Sequence, residues 1–202
     1  MASIELVLCD VGNVLVLADT AITFCQLEAN GVQADRAQTF FKNDTYYNFS
    51  RGLISPTEAY RLLIRDQLDE GLSYQQVLAA HDAHITGIDR GVEAVLSYLK
   101  IPLAFATDTN AWQTARVAQI ADLRQFSDLI IKSDDEDIQS LKTDPGVWQR
   151  IFARLGVDPA KMLFIDDSPP KITAAQAAGL GHTIHFENAG QLFIELHEYG
   201  AI

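Results

Sequence analysis

The sequence LCDVGNVLV, residues 8–16, places a carboxylate at the end of an apolar run. The run from Ile4 to Cys9 is typical of a buried strand, so Asp10 stands where that strand ends. Gly12 follows shortly after it, and a residue without a side chain lets the backbone approach a ligand closely. Asp10 is therefore either a turn residue or a nucleophile, and the rest of the chain distinguishes the two.

Four further apolar runs end at polar residues, at 102–106, 129–131, 162–165 and 183–186. Continuous apolar runs of this length suit strands that are covered on both faces of a parallel sheet. Segments with helical periodicity accompany the later runs, at 91–99, 147–155 and 171–178. The alternation of strands and helices predicts an α/β fold with an open parallel sheet.

Residues 17–88 interrupt this alternation. They contain no convincing strand and show helical patterns at about 20–29, 34–41, 57–68 and 74–84. The sequence SPTE at 55–58 is typical of a helix start, with proline near the first helical position. A helical insertion after the first strand is therefore predicted.

The composition indicates a globular protein with a buried core, since 48% of its 202 residues are hydrophobic and 21% are charged. The net charge of −12 disfavours nucleic acid as a partner, whereas a small anion remains compatible with a locally bound cation. The sequence shows no membrane span and no signal peptide. Two cysteines, Cys9 and Cys25, make no disulfide framework, and we expect a cytoplasmic location.

Polar side chains stand where several of the predicted strands end. The carboxyl ends of parallel strands form one edge of the sheet, and ligands bind at that edge in open α/β folds. A lysine in the sequence KTDP, at 142–145, opens the helix that precedes the strand at 162–165. The groups expected to meet are three carboxylates, a hydroxyl and an ammonium group: Asp10, Asp166, Asp167, Thr107 and Lys142.

These groups suit phosphoryl transfer through an aspartyl-phosphate. A carboxylate is ionised at neutral pH and is a competent nucleophile. Like charge resists its attack on a phosphate dianion, and a divalent cation held by Asp10, Asp166 and Asp167 would remove that repulsion. Mg²⁺ prefers such oxygen ligands, and Lys142 and Thr107 would bind the phosphate oxygens.

Four motifs in this order resemble those of the haloacid dehalogenase (HAD) superfamily, most closely its sugar-phosphatase-like branch. DVGNV at 10–14, Thr107, Lys142 in KTDP and the Asp166-Asp167 pair match the first to fourth motifs. The resemblance covers essentially the whole chain. It implies a Rossmann-like parallel-sheet core at 1–16 and 89–202, with an inserted helical cap at 17–88.

The resemblance also implies a role for each matching residue. The catalytic residues would be Asp10 as nucleophile, Thr107 and Lys142. The substrate or phosphate ligands would be Thr107, Asn110, Lys142 and, from a turn between the cap helices, Arg51. The Mg²⁺ ligands would be Asp10, the main-chain carbonyl of Gly12, Asp166 and Asp167.

Three positions depart from the family pattern. Gly12 stands where most phosphatases of the superfamily have a second aspartate that acts as general acid and base. Asp108, His81 and His84 are candidate replacements for that group. Asp108 also replaces the common asparagine of the second motif, and Lys171 stands where asparagine or aspartate is frequent, which would compensate for the extra carboxylate.

The sequence therefore predicts a Mg²⁺-dependent phosphatase of a small phosphorylated metabolite, with a sugar phosphate as one candidate, acting as a monomer or homodimer. Two alternatives remain. A metal-independent 2-haloacid dehalogenase would use the same nucleophile, although its acidic pair would then only repel the substrate. A non-enzymatic HAD-fold binding protein is the other, although all of the motif residues are intact.

Overall fold

The computed structural model describes residues 4–68 and 71–202, which contain seven strands and ten helices. The strands are β1 (Leu6–Cys9), β2 (Val16–Ala18), β3 (Ile85–Ile88), β4 (Leu103–Thr107), β5 (Ile130–Lys132), β6 (Met162–Asp166) and β7 (His182–His185). The helices are α1 (Thr20–Ala29), α2 (Ala34–Gln38), α3 (Asp44–Ser50), α4 (Pro56–Asp66), α5 (Tyr74–Asp82), α6 (Arg90–Leu96), α7 (Ala111–Ile120), α8 (Val147–Leu155), α9 (Pro169–Ala177) and α10 (Ala189–Glu198). None of these helices has the length and apolar character needed to cross a membrane.

Five strands form one parallel sheet in the order β5-β4-β1-β6-β7, with β1 at its centre. Cys9 of β1 lies beside Phe105 of β4 and Ile165 of β6, and the Asp10 N–H donates to the Ile165 carbonyl at 2.8 Å. This register brings the residues that follow β1, β4 and β6 to the same edge of the sheet. The predicted α/β fold class is confirmed.

Burial on both faces explains the continuous apolar sequence of β1. Val7 and Cys9 face a hydrophobic cluster to which α6 and α10 contribute, whereas Leu6 and Leu8 face a second cluster that includes α8 and α9. All of β1 is buried. The five predicted strands of this sheet are confirmed, with ends shifted by one or two residues.

Five helices, α1 to α5, lie between β2 and β3 and pack around a hydrophobic cluster of their own. Phe40, Phe49 and Leu63 are fully buried in it. Trp112 of α7 also joins this cluster and donates from Nε1 to the Tyr74 hydroxyl at 2.8 Å. The helices agree with the helical character predicted for this segment. The boundaries of a separate cap, at residues 17 and 88, stay a prediction.

The prediction that residues 17–88 contain no strand is wrong. β2 and β3 pair in antiparallel fashion at the two ends of the helical segment, with Val16 opposite Ile88. The two strands have three and four residues, and in each only the first residue is buried. Neither strand therefore has an apolar alternation long enough to be recognised in the sequence.

Helices α3, α7 and α10 fall outside the predicted helical segments. Each begins after an asparagine whose side chain accepts a hydrogen bond from the first turn of the helix: Asn43, Asn110 and Asn188. Asparagine is among the preferred N-cap residues because its short side chain satisfies backbone N–H groups that lack an intrahelical partner. The capping residues are therefore the sequence signal for these helices.

Gly52 lies where the turn after α3 meets the loop after β5. Its φ of +68° is in the left-handed region, and a Cβ added there would lie 2.7 Å from the carbonyl oxygen of Asp134. The neighbouring Ser133 hydroxyl donates to the Ser50 carbonyl at 2.6 Å. Only glycine therefore allows this close contact between the helical segment and the loop after β5.

We expect Gly52→Ala to lower the free energy of unfolding by ~2–4 kcal/mol, because it adds a clash with backbone to the strain of a positive φ. Gly156→Ala is the matched control, since Gly156 has a φ of +65° and nothing within 4 Å of the added Cβ. Urea unfolding of both variants measures the difference. Equal losses of stability would contradict the close approach to Asp134.

Candidate active site

Asp10 lies at the carboxyl end of β1, and its side chain is buried. Oδ1 accepts hydrogen bonds from the Val11 N–H at 2.7 Å and pairs with Lys142 Nζ at 2.8 Å. Oδ2 lies 3.4 Å from Lys171 Nζ. Burial alone would raise the pKa of Asp10, but the two ammonium groups outweigh it and lower the pKa to about 2. Asp10 is therefore ionised at neutral pH, as a nucleophile must be.

The Lys142 ammonium group is buried between two carboxylates. Nζ lies 2.8 Å from Asp10 Oδ1 and 2.6 Å from Asp166 Oδ2, and it donates to the Ala106 carbonyl at 3.1 Å. Its main-chain carbonyl accepts a hydrogen bond from Trp148 Nε1 at 2.9 Å. These contacts use all three ammonium hydrogens and hold Lys142 at the carboxyl edge of the sheet.

The acidic pair after β6 completes a cluster of three carboxylates. Asp10, Asp166 and Asp167 each offer an oxygen, and these oxygens lie within 4.8 Å of one another. Burial, together with the charge of Asp10, raises the pKa of Asp166 to about 7. Hard oxygen ligands in this number suit a divalent cation such as Mg²⁺, and its charge would relieve the repulsion among them. The donor set therefore fits such an ion.

Thr107 ends β4 and lines a cavity of about 800 Å³. Gly12 and Asp108 line the same cavity, which continues past His84 and Gln113 at the start of α7. The sheet thus brings the predicted phosphate ligand Thr107 and the predicted metal ligand Gly12 to one concave surface, although Asp10, Asp166 and Asp167 are not among the residues that line it. A cavity of this size holds a small organic ligand.

Asn110 and Arg51, both predicted to bind phosphate or substrate, have structural partners here. Asn110 Oδ1 caps α7, and its Nδ2 donates to the Ser50 hydroxyl at 3.4 Å. Arg51 donates to both carboxylate oxygens of Asp144, at 2.6 and 2.7 Å. Both side chains link the helical segment to the rest of the protein, and a contact with substrate stays a prediction for each.

Of the three candidate replacements for the absent general acid, only Asp108 and His84 line the cavity. His81 is fully buried among the helices, where its Nε2 lies 3.3 Å from the Tyr46 hydroxyl. Burial lowers the pKa of His84 to about 4, so its imidazole is neutral at pH 7. Its Nδ1 contacts the His81 carbonyl, and its Nε2 lies 3.4 Å from Gln113 Nε2, so Nε2 accepts from that amide when Nδ1 carries the proton.

Lys171, predicted to compensate for the Asp108 carboxylate but not included among the predicted site residues, is part of the site. It lies in the first turn of α9 and contacts the carboxylates of Asp10 and Asp108. These carboxylates raise its pKa in spite of its burial. A cation at a helix N-terminus opposes the helix dipole and calls for an anionic partner. That unfavourable position is the sequence signal that could have identified Lys171.

We expect Lys142→Met to lower the free energy of unfolding by about 3–5 kcal/mol, since it leaves Asp10 and Asp166 buried without their shared cation. Lys161→Met is the matched control, because Lys161 forms an exposed pair with Glu5 at 2.6 Å. Its stability should not change measurably. Denaturant unfolding in the presence of a chelator checks both variants, and equal stabilities would contradict the buried role of Lys142.

The raised pKa of Asp166 predicts how stability depends on pH. The folded protein keeps a proton on this carboxyl group that the unfolded chain releases near its ordinary pKa of 3.8. The contribution to stability is therefore complete below pH 3.8 and is lost as the pH rises through about 7. His84, whose pKa is lowered to about 4, acts in the opposite direction over this range, so the Asp166 contribution is the difference between the wild type and Asp166→Asn. Urea unfolding of both proteins in chelator between about pH 4 and 8 should show this difference in the free energy of unfolding decline as the pH rises. A difference that does not change with pH would contradict the assignment.

Comparisons with known proteins agree with this arrangement of residues. A family model described as haloacid dehalogenase-like hydrolase matches residues 4–179. A phosphorylated carbohydrates phosphatase of Thermotoga maritima is 29% identical over 111 residues, which cover 52% of this chain and 50% of the relative. A phosphoglycolate phosphatase of Escherichia coli is 32% identical over 79 residues, which cover 39% of this chain and 31% of the relative. The chain thus matches half or less of the length of these curated relatives.

The fold is shared with a HAD family enzyme of Bacteroides thetaiotaomicron, an aspartate-to-alanine mutant in complex with magnesium and inorganic phosphate. The two structures superimpose with a TM-score of 0.81 at 22% identity, over 95% of this chain and 99% of that one. This likeness confirms the predicted Rossmann-like core. Since the family model covers most of the sequence, the chain belongs to the haloacid dehalogenase-like hydrolase family.

Proposed function

We propose that this protein is a Mg²⁺-dependent phosphatase that hydrolyses a small phosphorylated metabolite through an aspartyl-phosphate on Asp10. One observation carries the proposal: the ionised, buried Asp10 lies beside Lys142 and within a cluster of carboxylates that suits a divalent cation. A sugar phosphate is the candidate substrate. We place the protein in the cytoplasm, as a monomer or homodimer.

Asp10 would act as the nucleophile. One of its oxygens would form a bond to phosphorus as the bond to the ester oxygen breaks, and the departing alkoxide would take a proton from solvent. Water would then hydrolyse the aspartyl-phosphate, which releases phosphate and restores the Asp10 carboxylate. Asp10, Asp166, Asp167 and the Gly12 carbonyl would hold Mg²⁺, which when bound offsets the repulsion between the attacking carboxylate and the phosphate. The Thr107 hydroxyl and the Lys142 ammonium group would bind the phosphoryl oxygens.

Proton transfer would fall to groups other than the residue at position 12, because Gly12 has no side chain. The neutral imidazole of His84 and the carboxylate of Asp108 line the cavity that contains Gly12. His84 Nε2 has the Gln113 amide as its partner at 3.4 Å, and it would accept a proton from the hydrolytic water after leaving that amide. His84 is not a general acid at neutral pH, so substrates whose leaving group needs little protonation would react fastest.

The helices of residues 17–88 would form a cap over the core of residues 1–16 and 89–202. Arg51 binds Asp144, which follows Lys142 in the same loop, and so it links the proposed cap to the loop that carries the catalytic lysine. Such a cap would exclude bulk water from the phosphate. To bind a substrate, the Arg51 guanidinium group would have to give up one or both of its hydrogen bonds to Asp144.

The substrate class has two lines of support. A cavity of about 800 Å³ matches a small molecule, and the net charge of −12 disfavours a polyanion such as nucleic acid. The two curated relatives are named for phosphorylated carbohydrates and for phosphoglycolate. We therefore propose phosphomonoesters of this size as substrates.

We expect phosphate release from a panel of sugar phosphates and other small phosphomonoesters to require both Mg²⁺ and Asp10. Asp10→Asn should lower kcat by about 10³-fold or more, because it removes the nucleophile. Asp137→Asn is the matched control, since Asp137 is an exposed aspartate that pairs with Arg154 at 3.2 Å. Colorimetric phosphate release with and without a chelator measures both variants.

The opposite outcome separates the alternatives. Halide release from a 2-haloacid that persists in chelator and needs Asp10 would replace the phosphatase with a dehalogenase. A folded wild type that neither binds Mg²⁺ nor turns over either substrate class would favour a binding protein.

A further inference from the structure

The two oxygens of the Asp10 carboxylate face two different ammonium groups. Lys142 Nζ lies 2.8 Å from Oδ1, and Lys171 Nζ lies 3.4 Å from Oδ2. The Lys171 side chain is 22% exposed, whereas that of Lys142 is 3% exposed. Lys142 is thus enclosed, whereas Lys171 is partly open to solvent.

Asp108 connects the two lysines. Its Oδ1 accepts a hydrogen bond from the main-chain N–H of Lys142 at 2.9 Å, and its Oδ2 lies 3.6 Å from the Lys171 ammonium nitrogen Nζ. Asp108 also lines the cavity beside Thr107. Without Lys171, this carboxylate would place an uncompensated negative charge next to the proposed phosphate position, where it would repel an anion.

The position of Lys171 in α9 strengthens this argument. The residue lies in the first turn of the helix, and the Ser168 side chain makes no capping hydrogen bond there. The helix N-terminus disfavours a cation and by itself attracts anions. The Lys171 ammonium group is therefore held there by the carboxylates of Asp10 and Asp108. When a divalent cation binds Asp10, Lys171 can leave that carboxylate and bind another anion.

We propose that Lys171 is a second phosphate-binding ammonium group of the reaction centre. Its positive charge favours phosphate and disfavours Mg²⁺, and the negative charge of Asp108 has the opposite effect on both ions. This inference rests on the proposed function. Its ligand class is the phosphoryl dianion, which Lys171 would bind together with Lys142 and Thr107. In the absence of phosphate, Lys171 partly neutralises Asp10 and so competes with a divalent cation for that carboxylate.

The test is a charge cycle of wild type, Lys171→Met, Asp108→Asn and the double variant. Methionine keeps much of the lysine volume, and asparagine keeps an oxygen that can accept the Lys142 N–H. Titration calorimetry measures the Kd of Mg²⁺ alone and then the Kd of inorganic phosphate at saturating Mg²⁺. Lys171→Arg, which keeps the charge, and Lys161→Met, which removes a charge from an exposed pair with Glu5, are the controls.

We expect Lys171→Met to weaken phosphate binding about tenfold or more and to tighten Mg²⁺ binding, since one positive charge beside Asp10 is lost. Asp108→Asn should change both constants in the opposite direction. The double variant should bind phosphate more tightly than Lys171→Met, because the uncompensated carboxylate is gone, and less tightly than the wild type, because the ammonium ligand is still missing. Lys171→Arg should retain most of the phosphate affinity, and Lys161→Met should bind both ions as the wild type does.

Unchanged constants in a folded Lys171→Met protein, or a double variant that binds phosphate no more tightly than Lys171→Met, would overturn the inference. Failure of the wild type to bind phosphate would overturn it as well. The proposed function is judged separately, by phosphate release from the substrate panel. A protein that hydrolyses no phosphomonoester and still shows the expected order of affinities would disprove the phosphatase and support the role of Lys171.

Discussion

The Lys142 ammonium group, buried between the carboxylates of Asp10 and Asp166, is the interaction on which the site depends. Two carboxylates in a buried site repel each other. The shared ammonium group keeps Asp10 ionised, whereas burial and the charge of Asp10 raise the pKa of Asp166. A buried ion pair adds little net stability, because burying the charges costs about as much free energy as their attraction returns. Removing one partner is strongly destabilising, because the other charge is left buried and unpaired. The loop that carries Lys142 is accordingly held by Trp148, Asp108 and, through Asp144, Arg51.

The central position of β1 makes this interaction possible. Because β1 pairs with β4 and β6 in parallel, Asp10, Thr107 and Asp166 reach the same edge of the sheet from three separate parts of the chain. Both faces of the sheet are covered by helices, and the side chains of Asp10 and Asp166 are buried where their strands end. Their charges therefore act on one another strongly, which suits a site that must bind both a cation and a dianion.

Much of the fold could be predicted from local patterns. The five strands of the sheet, the helical character of the segment after β2 and the order of the motif residues follow from apolar runs and from the residues that end them. The short strands β2 and β3 could not be predicted, because three or four half-exposed residues carry no periodicity. Helices α3, α7 and α10 begin after asparagine N-caps, which are a local signal for a helix start even where the apolar pattern does not indicate a helix.

By itself, the sequence determined the fold class and the residues that gather at the carboxyl edge, because strand burial and strand ends are local properties of the chain. Only the tertiary structure decided how the charges are paired. In the folded protein Lys171 contacts Asp10 and Asp108, and Arg51 pairs with Asp144. Asn110 caps α7 and donates a hydrogen bond to Ser50. Salt bridges join residues that are far apart in the sequence, and their choice of partner depends on distances of a few ångströms that no local pattern contains.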